Sequence, residues 1–394
     1  MRVRKLTRVM GTAVLFVACC GAAQARAGDT AYDVSSLGSL GGTSSGGNSL
    51  NDRTNVAGYS NKPDNMRRHA VLWRNDASHT LVDLGTLGGP NSSVVWPNKD
   101  TKGIIIGISQ TAAPDTSGEI FSSGYFYPGP KNTGYVNRAF AFEKGKMRGL
   151  PTLGGIHGFG SAVNNRGMAV GWAENTCVDG TCVPPQIYQF RPVHWNLKNG
   201  DKIGEFPLFD SSDTSGAATA INDAGQAVGI TGICDQAIGR YTAKHAVLWE
   251  KGSVTDLGNL GAEFWNTPTA ISQNGTVVGF AGVPGFPEGD FLHAFVWTKN
   301  GGIQPLDPLP GDLDSEAYGI NSSGTVVGVS CDAAGVCKGV RWDDGVVTDL
   351  NSVKSTEFTD RIETAKDIND RGEITGRAIS DAGVRTSYLA MPIE

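Results

Sequence analysis

Basic side chains recur at the head of short apolar runs, and this is the first pattern in the sequence able to carry chemistry. His69, Arg138, Arg191, His245, His293 and Lys338 each open such a run, as in HAVLW or RAFAF. Brought together, these bases would suit an anion. Trp73, Trp195, Trp249, Trp297 and Trp342 each follow four residues after one of them, on the same face of an extended strand. They read as core aromatics. His157, Tyr188, Asp210 and Glu263 are the acid and base candidates, and the sequence does not say whether they meet. No H-E-x-x-H pair and no Walker loop is present. An enzyme is therefore the less favoured reading.

Metal chemistry finds little support. A C-x-x-C spacing is absent, so no zinc site is expected. Asp312, Asp314 and Glu316 in GDLDSE offer oxygens to Ca2+ but lack the spacing of a calcium loop, so solvated turns and no cofactor are expected. The close pairs Cys177 with Cys182 in CVDGTC and Cys331 with Cys337 in CDAAGVC predict two local disulfide clips. Cys234 is then left over.

Aromatic residues cluster where the pattern is most irregular. The stretch 111–137 holds Tyr125, Phe126, Tyr127 and Tyr135, while Tyr188, Phe264, Trp265 and Phe286 lie in other variable loops. Such rings either stack on a glycan or grip a peptide, or else pack on one another to roof a channel.

The elements that position these groups repeat. An Asn-containing turn, plain at INDAG (Ile221 to Gly225) and INDRG (Ile368 to Gly372), aligns Asn51, Asn98, Asn164, Asn222, Ser272, Asn321 and Asn369, spaced 47 to 66 residues apart. Asn opens a turn and Gly closes it, so each landmark joins two strands. The second carries a glycine (Gly58, Gly107, Gly171, Gly229, Gly279, Gly328, Gly376) that predicts close backbone approach. The base-led run is a third strand, and DLGTLGG-like segments form a fourth. Four strands in seven units predict an all-β fold, a seven-bladed β-propeller.

The register predicts closure. The chain starts with a surplus fourth-strand segment, YDVSSLGSLGG (Tyr32 to Gly42), and ends after a third strand, so the first strand should complete the last blade. Residues 28–394 then form one domain with blades near 44–89, 90–155, 156–211, 212–262, 263–311, 312–353 and 354–394 plus 32–42. Third strands lie far from a propeller axis, so the six bases are expected to bond neighbouring loops instead of sharing an anion.

With these motifs in hand, the sequence resembles the bacterial HAF-repeat family of extracellular proteins, through His293-Ala294-Phe295, DLGTLGG at Asp83 and INDAGQAVG at Ile221. The resemblance implies secretion and propeller-like repeats, and it brings no shared activity or catalytic residue.

Composition agrees with export. Arg2, Arg4, Lys5 and Arg8 precede an apolar run and Ala25-Arg26-Ala27, so residues 1–27 read as a signal peptide cleaved after Ala27. Cys19 or Cys20 as a lipidated end is the alternative. The formal charge is -6, and cleavage makes it five charges more acidic, which argues against nucleic-acid binding. No later stretch is long and apolar enough to span a membrane. The expectation is a secreted, monomeric, non-enzymatic binding or scaffold module whose aromatic loop face holds a glycan or protein partner. A secreted polysaccharide hydrolase or lyase at the same face, or a purely structural surface protein, are the alternatives.

Overall fold

The computed structural model describes residues 30–119, 126–129, 134–235, 239–284 and 291–393. The signal-peptide reading over 1–27, with Cys19, Cys20 and Ala27, lies outside them, as do Tyr125 and Phe286.

Seven antiparallel sheets of four strands each stand around one axis, making a seven-bladed β-propeller. The blades run over 45–83, 88–149, 158–205, 215–256, 267–306, 314–349 and 361–392, the last completed by Tyr32–Ser36. That strand pairs antiparallel with Arg385–Pro392, in register from Tyr32 opposite Pro392 to Ser36 opposite Tyr388. The second blade starts at Gly88, so the last glycines of DLGTLGG already belong to the next blade.

The strand-two glycines have the predicted cause. First strands carry a bulge, and the second-strand glycine faces it: a Cβ on Gly58 would stand 2.0 Å from the Gly46 carbonyl oxygen, and one on Gly376 2.0 Å from that of Thr364. Any side chain there would push the innermost strand off its ladder.

The Asn turns do more than turn. Asn222 Oδ1 accepts from the Gln226 amide within its own turn, while its Nδ2 donates to the Ser272 carbonyl of the next blade at 3.1 Å. Asn51, Asn164, Asn321 and Asn369 reach the next turn in the same way, Asn369 closing onto Asn51. A belt of amides thus joins blade to blade on the turn face. In the second blade Asp100, not Asn98, holds the turn: its Oδ1 accepts from the Lys102 and Ile104 amides, and its carbonyl receives Asn51. Asn98 instead bonds Trp96 and Ile106. A carboxylate accepts the turn amides as well as an amide oxygen does, but it has no N–H to pass on.

Asn222→Ala removes these two bonds and a third, from Nδ2 to Gln226 Oε1, at a buried site and should cost about 2–3 kcal/mol, since each such bond contributes about 1 kcal/mol. Asn98→Ala should cost less, and chemical denaturation of the two variants gives the comparison; equal losses would contradict the assignment of the turn to Asp100.

A second lock closes the ring near the axis. Lys99 of the second blade donates to Asp367 of the seventh and to the Leu50 carbonyl of the first, while the Leu50 amide donates to Asp367 Oδ2 at 2.7 Å. The third-strand tryptophans pack between blades, and Trp195, Trp249 and Trp342 donate their indole N–H to Pro151, Pro207 and Asp307 carbonyls.

Candidate functional site

First strands run from the loop face to the turn face, so their early residues and the late residues of second strands surround the loop-face mouth of the channel. In the second strands the residue after the glycine is Ile108, Trp172, Ile230, Phe280 or Val329 in the middle blades, but Tyr59 in the first and Arg377 in the seventh. Three residues before the turn Asn, where Thr219 and Thr269 bond the adjacent blade, the seventh blade has Lys366. Ring closure brings these exceptions side by side.

The mouth is a cavity of about 240 Å3 lined by Tyr59, Arg68, Phe126, Lys366 and Arg377 among others. The Arg68 guanidinium stacks 3.8 Å from the Tyr59 ring centroid, donates from Nε to Asn61 Oδ1 at 2.9 Å, and from an NH group to the Phe126 carbonyl at 2.9 Å. Arg377 donates to Glu363 at 2.6 Å and to the Tyr59 hydroxyl at 3.4 Å. The Lys366 ammonium stands 3.2 Å over the Tyr318 ring, and Tyr318 donates to Glu316 at 2.7 Å.

Charge is unbalanced there. Among the described residues neither Arg68 nor Lys366 forms an ion pair, whereas Arg377 shares Glu363 with Arg385. Burial pushes Lys366 down to about 7 against the attraction of Glu316. Burial alone would raise the Tyr59 phenol, yet Arg68 and Arg377 outweigh it and hold it below the usual value.

The residues proposed from sequence scatter. Phe126 lines the mouth and meets Phe159 edge-on, with ring centroids 5.2 Å apart, and Tyr127 is buried beside Phe159 and Trp172 in a core beneath the loops of blades two to four. These two are the roofing aromatics. Tyr135 is exposed, Tyr188 and Trp265 are half-buried, and Phe264 lies under the Arg240 guanidinium at 4.2 Å. None of these four lines the mouth cavity.

A polar cluster beside that roof joins one candidate named from the sequence, His157, to two residues that were not, Glu119 and Glu174. Glu119, His157 and Glu174 are buried, each with a ligand-capable atom within 4.8 Å of the others. Glu119 Oε1 accepts from Gln186 Nε2 and the Ile187 and Tyr188 amides at 2.8 to 3.0 Å, which docks one loop on another. His157 Nδ1 accepts the Asn137 amide at 3.1 Å, so Nε2 carries the ring proton, 3.7 Å from Asp115. In that tautomer the imidazole is a donor, and the cluster works as a hydrogen-bonded acid cluster more readily than as a metal centre. Burial raises Glu174 to about 7. Of the other acid and base candidates, Asp210 is occupied by Ser212, and Glu263 is exposed.

The cysteine pairing needs correction. Cys331 bonds Cys337 as expected, but Cys182 bonds Cys234, 52 residues on, and Cys177 is a free, exposed thiol. The cause is pairing between the loops of blades three and four: the Val183 amide donates to Asp235 O and the Asp235 amide to Thr181 O. That short ladder aligns Cys182 with Cys234, while Cys177 sits on an extension of the second strand (Met168–Val178).

Five of the six bases bond locally. His69 pairs with Asp83 at 2.8 Å, Arg191 with Glu205 at 2.6 Å, His245 with Asp256 at 3.5 Å and Lys338 with Asp312 at 3.5 Å, each within its own blade or its edge loop. Arg138 donates to Thr152. The proposed calcium oxygens diverge: Asp312 accepts from Ser330, Asp314 from the Leu292 amide, and Glu316 from Tyr318.

The class defined by this architecture is the seven-bladed propeller, and comparison goes no further than that. No protein-family model and no curated protein matches the chain. Among solved structures it is similar to TolB from Acinetobacter baumannii, at 10% identity and a TM-score of 0.41, over 85% of this chain and 63% of that one. A puromycin hydrolase gives 10% identity and 0.46 over 82% and 48%. Trypanosoma rangeli sialidase in complex with the inhibitor DANA gives 10% and 0.40 over 80% and 56%. The chain thus spans less than two thirds of the length of each.

Proposed function

We propose that this is a secreted, non-enzymatic binding module of the HAF-repeat kind, which holds a glycan or protein partner on its loop face with the channel mouth as the seat. The observation that carries this reading is the mouth cavity, where aromatic faces and hydrogen-bond donors converge on rigid strands. Two disulfides support secretion. A glycan and extracellular-protein array with the purified chain identifies the ligand. Tyr59→Leu keeps the apolar bulk but removes the phenol, and should weaken retention at least about tenfold, or ~1.4 kcal/mol. Tyr241→Ala on the outer rim should leave retention unchanged. Equal retention by both variants would count against the mouth as the seat.

A further inference from the structure

The positive charge at the mouth has no structural use that the fold itself accounts for. Several third-strand bases are matched, since His69, Arg191 and Lys338 each face a carboxylate of their own blade or its edge loop, and the single bases without one, such as Arg138 on Thr152, stand apart from one another. At the mouth Arg68, Lys366 and Arg377 line one cavity, and only Arg377 has a carboxylate in contact. Arg68 is held in place by Asn61, the Phe126 carbonyl and the Tyr59 ring, so its fork is positioned without being neutralised. Lys366 is stacked on Tyr318 and makes no hydrogen bond among the described residues. Placing partly desolvated cations side by side costs stability unless an anion joins them.

We propose that the mouth binds the acidic group of a sugar, a carboxylate or a sulfate, between Arg68, Lys366 and Arg377, with the ring of the sugar against Phe126 and the buried Tyr59 ring backing Arg68. The inference rests on the reading of the mouth as the ligand seat and adds the chemical class of the ligand. A cavity of about 240 Å3 falls below the ~300–1,000 Å3 of drug-sized pockets, which suits one terminal residue of an acidic glycan. Arg supplies paired donors to a planar or tetrahedral anion, and Lys supplies a point charge.

The charged groups that face Lys366 are Glu316 of the sixth blade and Arg377 and Glu363 of its own, with the Tyr318 phenol beneath it. In the empty site Lys366 loses its proton near pH 7, whereas an anion beside it favours the charged form. Affinity should therefore be highest below pH 7 and fall as the pH rises above it.

Calorimetric titration with oligogalacturonate, its methyl ester and a sulfated oligosaccharide tests this. The expected result is acid binding at least about tenfold tighter than ester, with Lys366→Met and Arg68→Gln abolishing the difference and Lys366→Arg keeping it but removing its dependence on pH near 7. The two acidic probes tell carboxylate from sulfate. Thermal melts of the variants check folding, and loss of selectivity in the intact chain at raised salt is an independent sign of charge pairing. Equal binding of acid and ester, or array-selected neutral ligands displacing no acid, overturns the anion inference and leaves the binding reading standing. No retention of any glycan or protein overturns both.

Discussion

A chain lacking residues 32–38 should melt far below the full-length protein and leave solution as aggregate. Tyr32, Val34 and Leu37 are buried at 3, 6 and 5% exposure; Tyr32 and Val34 pack with Phe358, Ile362 and Tyr388, and Leu37 with Trp73 and Leu389. Side chains of this size contribute about 1.5–3 kcal/mol each on burial, so the three together approach the 5–15 kcal/mol by which a whole domain is stable. The strand also accepts the Arg341 guanidinium on the Tyr32 hydroxyl and the Ser355 amide on its carbonyl. Without it, Arg385–Pro392 becomes an uncovered edge with Tyr388 and Ala390 laid bare. Such an edge templates pairing between chains. Thermal melting and size-exclusion chromatography read both effects, and a synthetic peptide of residues 30–40 supplied in trans should restore part of each. A truncated chain that stays monomeric with an unchanged melting temperature would refute closure as the staple of the ring.

Closure was legible because it is written in local chemistry. Gly and Asn mark backbone positions that few other residues tolerate, so their recurrence counts the blades, and the surplus strand at one end matches the missing strand at the other. The turn of the second blade was misread at Asn98 because side-chain acceptors were equated with Asn, and Asp100 accepts the same amides. The cysteine pairing was misread for a different reason. Proximity in sequence favours Cys182 with Cys177, but the backbone ladder between neighbouring loops sets the geometry, and nothing in CVDGTC announces it.

The channel mouth was the least legible part. Tyr59 and Arg68 come from the first blade, Lys366 and Arg377 from the seventh, so they become neighbours only when the ends of the chain meet. A signal did exist. Arg377 interrupts an apolar set of post-glycine residues, and Lys366 stands where other blades have Ser161, Thr219 or Thr269. Departures from a repeat carry the functional information that the repeat itself, built for packing, does not. The long loops contribute Phe126 to the mouth, whereas Lys366 and Arg377 stand on strands of the repeat itself. The closing strand and the proposed seat are thus one device: what joins the ends also assembles the cations.

Removing the Cys182–Cys234 bond should destabilise the protein about twice as much as removing Cys331–Cys337. In the chain-entropy account the loss grows with the loop enclosed, giving about 4 kcal/mol for a separation of 52 and about 2 kcal/mol for one of 6. The Cys182→Ala/Cys234→Ala pair is the suitable test, because Cys234 is fully buried and a serine there would add an unpaired hydroxyl. Cys182 packs against the same core that seats Phe126 and Tyr127, so its loss should loosen the roof beside the mouth before it unfolds the blades. Hydrogen exchange should rise first at Thr181 to Asp235 contacts and at Tyr127, while the belt of Asn turns on the opposite face stays protected. Chemical labelling settles the pairing itself: among the five cysteines of residues 28–394 in the oxidised, folded protein one thiol should react, Cys177, and non-reducing peptide maps should join the Cys182 and Cys234 peptides. A map that joins Cys177 to Cys182, with Cys234 unlabelled until the protein is unfolded, would sink the cross-blade staple and restore the local clip.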